Sequence, residues 1–534
     1  MSSPTRSQWL ALPFISMGVA MIIVDATIVN VAIPTIIREI HLSVTGAEWL
    51  NSIYSLVFAA LLISAGRAGD RWGRKRMFLA GTLVFVCSSL LAAIAPNGEL
   101  LIFARSLQGV GGAMILPSTL STVNAMFTGS ARAIAFAVWG STIGGFAAVG
   151  PLLGGWLTTD VSWRWAFLVN VPLGILILVG ILFFIEETSD PAAHSGFDIP
   201  GNILTVLGLG GVVFALIESA QYGWWTQERT FAFFGWHWPT SWISIIPFIF
   251  TAGVLLLLLF IGVELSRRNR ERAVLIDFAL FRIRSFGFGN VAAFTVSLGE
   301  FGLLFVLPLF LQGVLRYSAL GTGFVFLALA IGAFIAGGLT PVLTKSLSPR
   351  NIARLGLLLE AVGLCLLGLM LTVSSTGWGL SPWLFIYGLG VGMASAQLTG
   401  VILTDVPTAD SGQASGIQST ARQVGSAFGV AILGSVFLTI LANRSTTALS
   451  QLHALPPAAI HGIVALVKAT GGAGIPSLGS YPGSAPIIAA ASQAVTEAAK
   501  FDAFLAGGFI LIGLVATFAL PRVHHARTHS THNQ

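Results

Sequence analysis

Apolar runs of about twenty residues recur along the chain from position 9 to position 520, each closed by a short cluster of charged, Gly or Pro residues. A helix rises about 1.5 Å per residue, so a run of that length crosses roughly 30 Å of hydrocarbon. The pattern predicts fourteen spanning helices, at about 9–33, 47–65, 77–95, 99–123, 133–157, 164–185, 199–217, 241–263, 286–312, 319–343, 352–373, 381–403, 413–441 and 502–520. The first run is too long in its apolar part, and lacks the small-residue cleavage site, to be a removable leader, so it counts as a span. Two breaks are longer than a turn. Residues 264–285 are basic, and residues 442–501, rich in Ala, Ser, Gly and Pro, read as an unstructured outer loop rather than as surface helices. Six spans precede and six follow a central pair. The expected fold is therefore an all-α polytopic membrane protein: a six-helix bundle (1–190), an inserted helix pair (191–265), a linker (266–285) and a second six-helix bundle (286–534).

Composition agrees, since 55% of residues are hydrophobic, only 9% are charged and the mean hydropathy is +0.86, whereas soluble domains carry about a quarter charged residues. The two cysteines, Cys87 and Cys365, sit inside apolar runs, which leaves no disulfide framework and no zinc cluster. A net charge of +6 would suit a nucleic-acid partner if spread over one surface, but it is distributed by break. Arg6, the turn "GRAGDRWGRKR" (Gly66 to Arg76), Arg132, the cluster Arg267, Arg268, Arg270, Arg272, Arg282 and Arg284, then Lys345, Arg350, Arg354, Arg522 and Arg527 fall on one side. The other side receives Arg38, Arg164, Arg229, Arg316, Arg444, Lys468 and Lys500, together with most of the tryptophans. By the positive-inside rule both termini are cytoplasmic.

The charges placed deep inside the hydrocarbon are Asp25, Arg105, Glu300 and Glu360, with Arg422 near an inner helix end. Such positions are functional candidates, because a charge inside hydrocarbon is costly. Asp25 lies about 12 Å below the outer end of span one and Arg105 about 8 Å below that of span four, depths compatible with pairing. A guanidinium favours an ionised carboxyl and desolvation favours a neutral one. Separating the two would therefore make the acid take up a proton, while the alternative is a static ion pair joining two helices. Glu300 has no arginine at its depth and suits either a proton site or a cation contact. Glu360 suits a structural or a substrate-contacting role, and Arg422 can snorkel. No histidine falls inside a span, so carboxylates must do any proton work. Glu300, Glu360, Gln108 and Asn30 are the candidate substrate contacts.

Three stripes complete the set. In "RSLQGVGGAM" Arg105, Gln108, Gly109 and Gly112 share one helix face, a polar wall that also packs closely. In span five Gly140, Gly144, Ala147, Pro151, Gly154 and Gly155 form a stripe with Gly150 beside it, which reads as ordinary small-residue packing or as a hinge or seal. In the basic turn Gly66, Asp70, Arg71, Gly73 and Arg74 read as a latch, with Asp70 accepting from a neighbouring helix N-terminus, or as topology anchors alone.

Taken together, "DATIVNVAIP", "GRAGDRWGRKR", "RSLQGVGGA", "GPLLGG", "SWRWAFLVNVPLG" and "SGIQSTARQVGSAFGVAILG" resemble, in order and location, the major facilitator superfamily, and within it the fourteen-helix drug:proton antiporter branch. The resemblance implies that Asp70 and the basic residues after it gate the inner side, that Arg105 assists proton coupling and that Gly150 and Pro151 mark exporters. It also implies that Asp25 and an acid in the ninth span handle protons or cations. Departures are Ala68 for a frequent Leu, Ile199 for a frequent Trp, and Arg316 for a usual glycine, a cation at the outer mouth. The expectation is a proton-coupled exporter of amphipathic, cationic or neutral small molecules, working by alternating access as a monomer in the bacterial cytoplasmic membrane. An uptake symporter and a non-transporting sensor or scaffold are the alternatives. No enzyme, cofactor or nucleic-acid partner is expected: the proton gradient supplies the energy, and no phosphate-binding Gly-rich loop is present.

Overall fold

A computed structural model describes residues 6–520 except 128, 189–197, 234–235, 240–241, 271, 273, 345, 407–410, 453–454 and 481–483. The side chains of Arg67 and Asp70, and most of those in 129–148, also lie outside the described set. The chain forms α1 (Arg6–Glu39), α2 (Val44–Trp72), α3 (Arg74–Ala93), α4 (Gly98–Met126), α5 (Gly129–Asp160), α6 (Trp165–Leu168), α7 (Asn170–Phe184) and α8 (Ile199–Tyr222). It continues as α9 (Ile246–Asn269), α10 (Arg284–Gly313), α11 (Ala319–Leu343), α12 (Pro349–Met370), α13 (Gly377–Leu403), α14 (Ser411–Ser450), α15 (Pro457–Thr470) and α16 (Ala485–Phe518). The short α6 and α7 together make span six. Thirteen helices among the described residues are long and apolar enough to cross a membrane. With the 32-residue α5 they make the fourteen spans of an all-α polytopic protein.

The polar breaks begin helices by capping them. Ser43 Oγ accepts from Gly46 N at 3.0 Å, Asn97 Oδ1 from Leu100 N at 3.0 Å, Asp198 Oδ1 from Gly201 N at 2.9 Å and Ser318 Oγ from Gly321 N at 3.0 Å. The turn from α2 to α3 depends on Gly73, whose φ of 113° is closed to ordinary side chains. The Glu187 carboxylate sits against this turn, accepting from Lys75 N at 3.0 Å and Arg76 N at 3.2 Å. An anion at the positive end of α3 fixes the end of span six to the start of span three.

In the first half α1 packs on α5 and α7, α3 on α4 and α7, and α2 on α4. In the second α10 packs on α14 and α16, α12 on α13 and α16, and α11 on α13. The halves meet where α2 lies on α14 and α5 on α11, with a lesser contact of α1 on α10. The inserted pair, α8 with α9, rests on α2 and α14. Its end on the arginine-rich face is pinned by buried acids. Asp198 Oδ1 pairs with Arg267 Nε at 3.3 Å, and Glu264 Oε2 accepts from Ile276 N of the linker at 3.2 Å. Burial alone would raise the Asp198 carboxyl. Hydrogen bonds from Glu264 and the Gly201 N–H, with the Arg267 charge, outweigh it and hold Asp198 below its ordinary value.

Helices outlast the apolar runs at several ends. Residues 442–501 are mostly helical: α14 continues to Ser450, α15 follows, and α16 starts at Ala485. Hydropathy marks where a chain meets water, and the Ala-rich stretches on either side keep their helix propensity beyond that point. Arg444 Nε and Glu497 Oε2, 3.1 Å apart, tie the two extensions together. The linker likewise holds a 3-10 turn at Phe278–Arg282, capped by Asp277.

Candidate functional site

α1 carries Asp25 and α4 carries Arg105 into direct contact, with Nη1 2.5 Å from Oδ2 and both side chains essentially without solvent exposure. Two further donors reach the same carboxylate: Gln108 Nε2 at 3.0 Å and Asn170 Nδ2 at 2.8 Å, both to Oδ1. Ser89 Oγ accepts from Gln108 Nε2 at 2.8 Å and from Asn170 Nδ2 at 3.2 Å. Arg105 is held in turn by Gln108 Oε1 at 2.8 Å and by the Leu50 carbonyl of α2 at 3.2 Å, and its guanidinium lies 4.3 Å from the centre of the Tyr54 ring. A buried carboxylate survives only when paired and hydrogen-bonded. Here α1, α3, α4 and α7 supply the partners and α2 supplies a carbonyl and a ring. Any movement among these helices changes how well the charge on Asp25 is satisfied.

Asn170, Ser89 and Tyr54 are absent from the sequence-based candidates. An asparagine within the apolar stretch "LVNVPLG" is the one signal that would have singled out the first. Gln108, expected on a cavity wall, is fully buried and committed to this network. Asn30 bridges α1 and α2, accepting from Asn51 Nδ2 at 2.7 Å and donating to the Ala26 carbonyl at 3.2 Å.

The second half holds a different cluster. Glu300 on α10, Glu360 on α12, Tyr387 on α13 and Arg422 on α14 lie within electrostatic reach of one another. Both acids are buried, and Glu300 Oε1 and both oxygens of Glu360 have no hydrogen-bond partner among the described residues. Gly390 leaves room for the Glu360 side chain, since a Cβ there would stand 2.6 Å from its Cγ. Arg422 lines a small internal cavity with Ser297, Thr399 and Gln418. The expectation that Glu300 has no arginine near it is thus corrected, since the Arg422 charge acts on both acids. Depth counted along the chain ignores the packing of α14 on α10, which brings the Arg422 charge within reach of both acids.

The glycine stripe of α5 serves two neighbours. Gly150 and Gly154 face α1, where a Cβ on Gly154 would stand 2.7 Å from the Ile28 carbonyl oxygen. Gly155 and Pro151 face α11 of the other half: a Cβ on Gly155 would stand 2.6 Å from the Ala319 carbonyl oxygen, and one on Gly323 2.7 Å from the Pro151 carbonyl oxygen. Successive helical residues diverge by about 100°, so Gly154 and Gly155 cannot serve one partner. Gly140 and Gly144 fall in the stretch whose side-chain environment lies outside the described residues. At the ends of these helices remote from the basic turns the halves touch directly, through Gln312 Nε2 to the Val31 carbonyl at 3.0 Å and Leu320 N to Thr159 Oγ1 at 2.8 Å.

Of the latch candidates, Gly66 packs toward Pro117, with 3.4 Å available to a Cβ, and Gly73 makes the turn described above. Arg71 closes α2 and Arg74 opens α3, its N–H donating to the Thr188 carbonyl at 2.9 Å. The Asp70 side chain lies outside the described residues. Arg316 has a left-handed φ of 58°, a conformation that glycine adopts more readily than other residues. No cluster of metal-ligating side chains occurs among the described residues.

A family model described as Major Facilitator Superfamily matches residues 15–208 and 201–430. The multidrug efflux pump LfrA of Mycolicibacterium smegmatis is 34% identical, over 82% of this chain and 82% of its own. The puromycin resistance protein pur8 of Streptomyces alboniger is 33% identical over 88% and 90%, and the probable actinorhodin transporter of Streptomyces coelicolor 30% over 84% and 75%. Among solved structures, a bacterial homologue of the human lysosomal transporter Spinster, inward-facing and unoccupied, superposes with a TM-score of 0.65 over 97% of this chain and 98% of its own. At 15% identity that likeness speaks to the fold. Fourteen spans in two packed halves, a family match over most of the chain and relatives of this similarity make the protein a member of the Major Facilitator Superfamily, a multi-pass membrane transporter and not an enzyme.

Proposed function

We propose that the chain is a proton-driven exporter of amphipathic small molecules, cationic or neutral, that works by alternating access between its two halves. The observation that carries this reading is the Asp25 network: a buried carboxylate with three side-chain donors from two other helices, one of them Arg105, which also leans on α2. Because α2 lies on the second half, rocking of the halves alters the support of Arg105 and with it the proton affinity of Asp25. Export, rather than uptake, is supported by the relatives, which include a multidrug efflux pump and a tetracenomycin C resistance and export protein.

Glu300 and Glu360, with oxygens left over for a ligand, suit a positively charged group on the substrate or a proton in its place. The glycines Gly155 and Gly323 let the halves close face to face at one end. Positive-inside placement puts the basic face and both termini in the cytoplasm. The protein acts as a monomer in the cytoplasmic membrane with no cofactor, drawing on the proton gradient alone. Efflux of a fluorescent cation from loaded cells, with and without a proton uncoupler, tests the reading. Efflux that stops with the uncoupler is expected; efflux that ignores it overturns proton coupling, and net accumulation of the dye overturns export.

A further inference from the structure

Glu48 takes no part in the Asp25 network, yet it is one of the most enclosed acids of the molecule. It lies near the start of α2, has no exposed surface, and neither carboxyl oxygen has a hydrogen-bond partner among the described residues. Its carboxyl rests on Gly434 of α14, where a Cβ would stand 2.8 Å from Glu48 Cδ. The nearby acid Glu218 of α8 is already satisfied, accepting from Trp49 Nε1 at 2.8 Å and Gln221 Nε2 at 2.9 Å. Glu48 thus sits where the first half, the second half and the inserted pair meet. Deeper along the same seam α2 and α14 touch through neutral groups: Ser52 Oγ to the Ala427 carbonyl at 3.3 Å and the Ser55 and Ser426 hydroxyls at 3.4 Å.

Of the charged groups on elements packed against α2, Glu218 is the one that bears on Glu48. Asp25 of α1 and Arg105 of α4 hold each other, Glu39 pairs with Arg164, Arg444 of α14 with Glu497 and Lys468 of α15 with Glu228. Arg38 donates to Thr35, the Arg422 charge acts on Glu300 and Glu360, and Glu99 and His461 lie toward the ends of α4 and α15. Arg74, Lys75 and Arg76 of α3 are at the far end. Among the described residues no cation offsets a charge on Glu48, so the closed seam accommodates the neutral acid, whereas a parted seam would admit water and favour the carboxylate.

We propose that Glu48 is a second proton-binding residue of the transport cycle. Closing the α2–α14 seam at the end remote from the basic face moves a proton from water on that side to the Glu48 carboxylate, and opening the seam returns it to the same side. This rests on the proton-driven reading above and adds to it a response to external acidity. α2 carries both Glu48 and the Leu50 carbonyl that accepts from Arg105, so one rigid helix links the seam to the Asp25 network.

The test uses the full chain in lipid nanodiscs, with Cys87 and Cys365 replaced by serine and spin labels at the exposed His41 and Asn443, one at each side of the seam. Distances between the labels are read over a pH series without substrate. In the parent the short distance should gain on the long one as pH falls, by up to about tenfold per unit for one proton. Glu48→Gln should hold the short distance throughout, and Glu48→Asp should restore the pH response. A pH response that persists unchanged in Glu48→Gln, or none in the parent, overturns the proposal. Both readings stand apart in transport assays: uncoupler-sensitive export with an unaltered pH response in Glu48→Gln removes the Glu48 proton site and leaves the antiport, whereas a Glu48-dependent distance change in a protein whose export ignores the uncoupler does the reverse.

Discussion

Replacing Asn170 by leucine removes one of the three side-chain donors to Asp25 while keeping the volume of the residue close to the original. Asn170 Nδ2 is 2.8 Å from Asp25 Oδ1, and both side chains are without solvent exposure. A hydrogen bond to a charged group contributes about 1.5–3 kcal/mol. That stabilisation belongs to the ionised carboxyl, so its loss favours the protonated form. At about 1.4 kcal/mol per pH unit, the midpoint of the pH dependence of export should move to higher pH by roughly one to two units. The Arg105 contact remains, so transport itself should survive at the new optimum. The assay is the initial rate of cation efflux from proteoliposomes over a pH series, at matched protein content. A midpoint that stays put, or moves toward acid, would refute the claim that the donors around Asp25 set its proton affinity.

Three further outcomes follow from the contacts. Gly155→Val puts side-chain atoms where only about 2.6 Å separates a Cβ from the Ala319 carbonyl oxygen, so the closed end should lose about 1–3 kcal/mol, or five- to 150-fold in population. Export should fall accordingly while membrane levels hold, and Gly337→Ala, with nothing within 4 Å, serves as the silent control. Gly73→Ala forces an ordinary residue to a φ of 113° beside the Glu187 carboxylate and should cost about 1–3 kcal/mol, read as a lower melting temperature in detergent. Asp198→Asn removes an acid held below its ordinary value, a contribution present above about pH 4 and lost as pH falls through the lower folded value. The variant should therefore melt below the parent at neutral pH, with the gap narrowing in acid; a gap independent of pH contradicts the assignment.

The spans were legible because hydrocarbon imposes a length on every apolar run, and the meeting of Asp25 with Arg105 followed from depths counted along two helices from a shared boundary. Asn170, Ser89 and Tyr54 were not. Neutral polar residues are common in spans, and no spacing relates positions 25, 89 and 170, which only the packing of α1, α3 and α7 brings together. That the Arg422 charge bears on Glu300 was missed because the packing of α14 on α10 leaves no mark in spacing along the chain. Helices in 442–501 escaped notice since hydropathy reports on lipid contact, not on backbone conformation. Glu48 lies within a few residues of a polar break, and only the covering by α14 makes it a buried acid.

The central claim, that protonation of Asp25 drives the cycle, is tested most directly by proton counterflow. Proteoliposomes carrying an entrapped pH indicator are given a gradient of a fluorescent cation and no initial pH difference, and both fluxes are followed together. The parent protein should move protons against the cation. Asp25→Asn should bind the cation yet move neither species uphill. Proton counterflow that persists in Asp25→Asn at the parental rate would contradict the account.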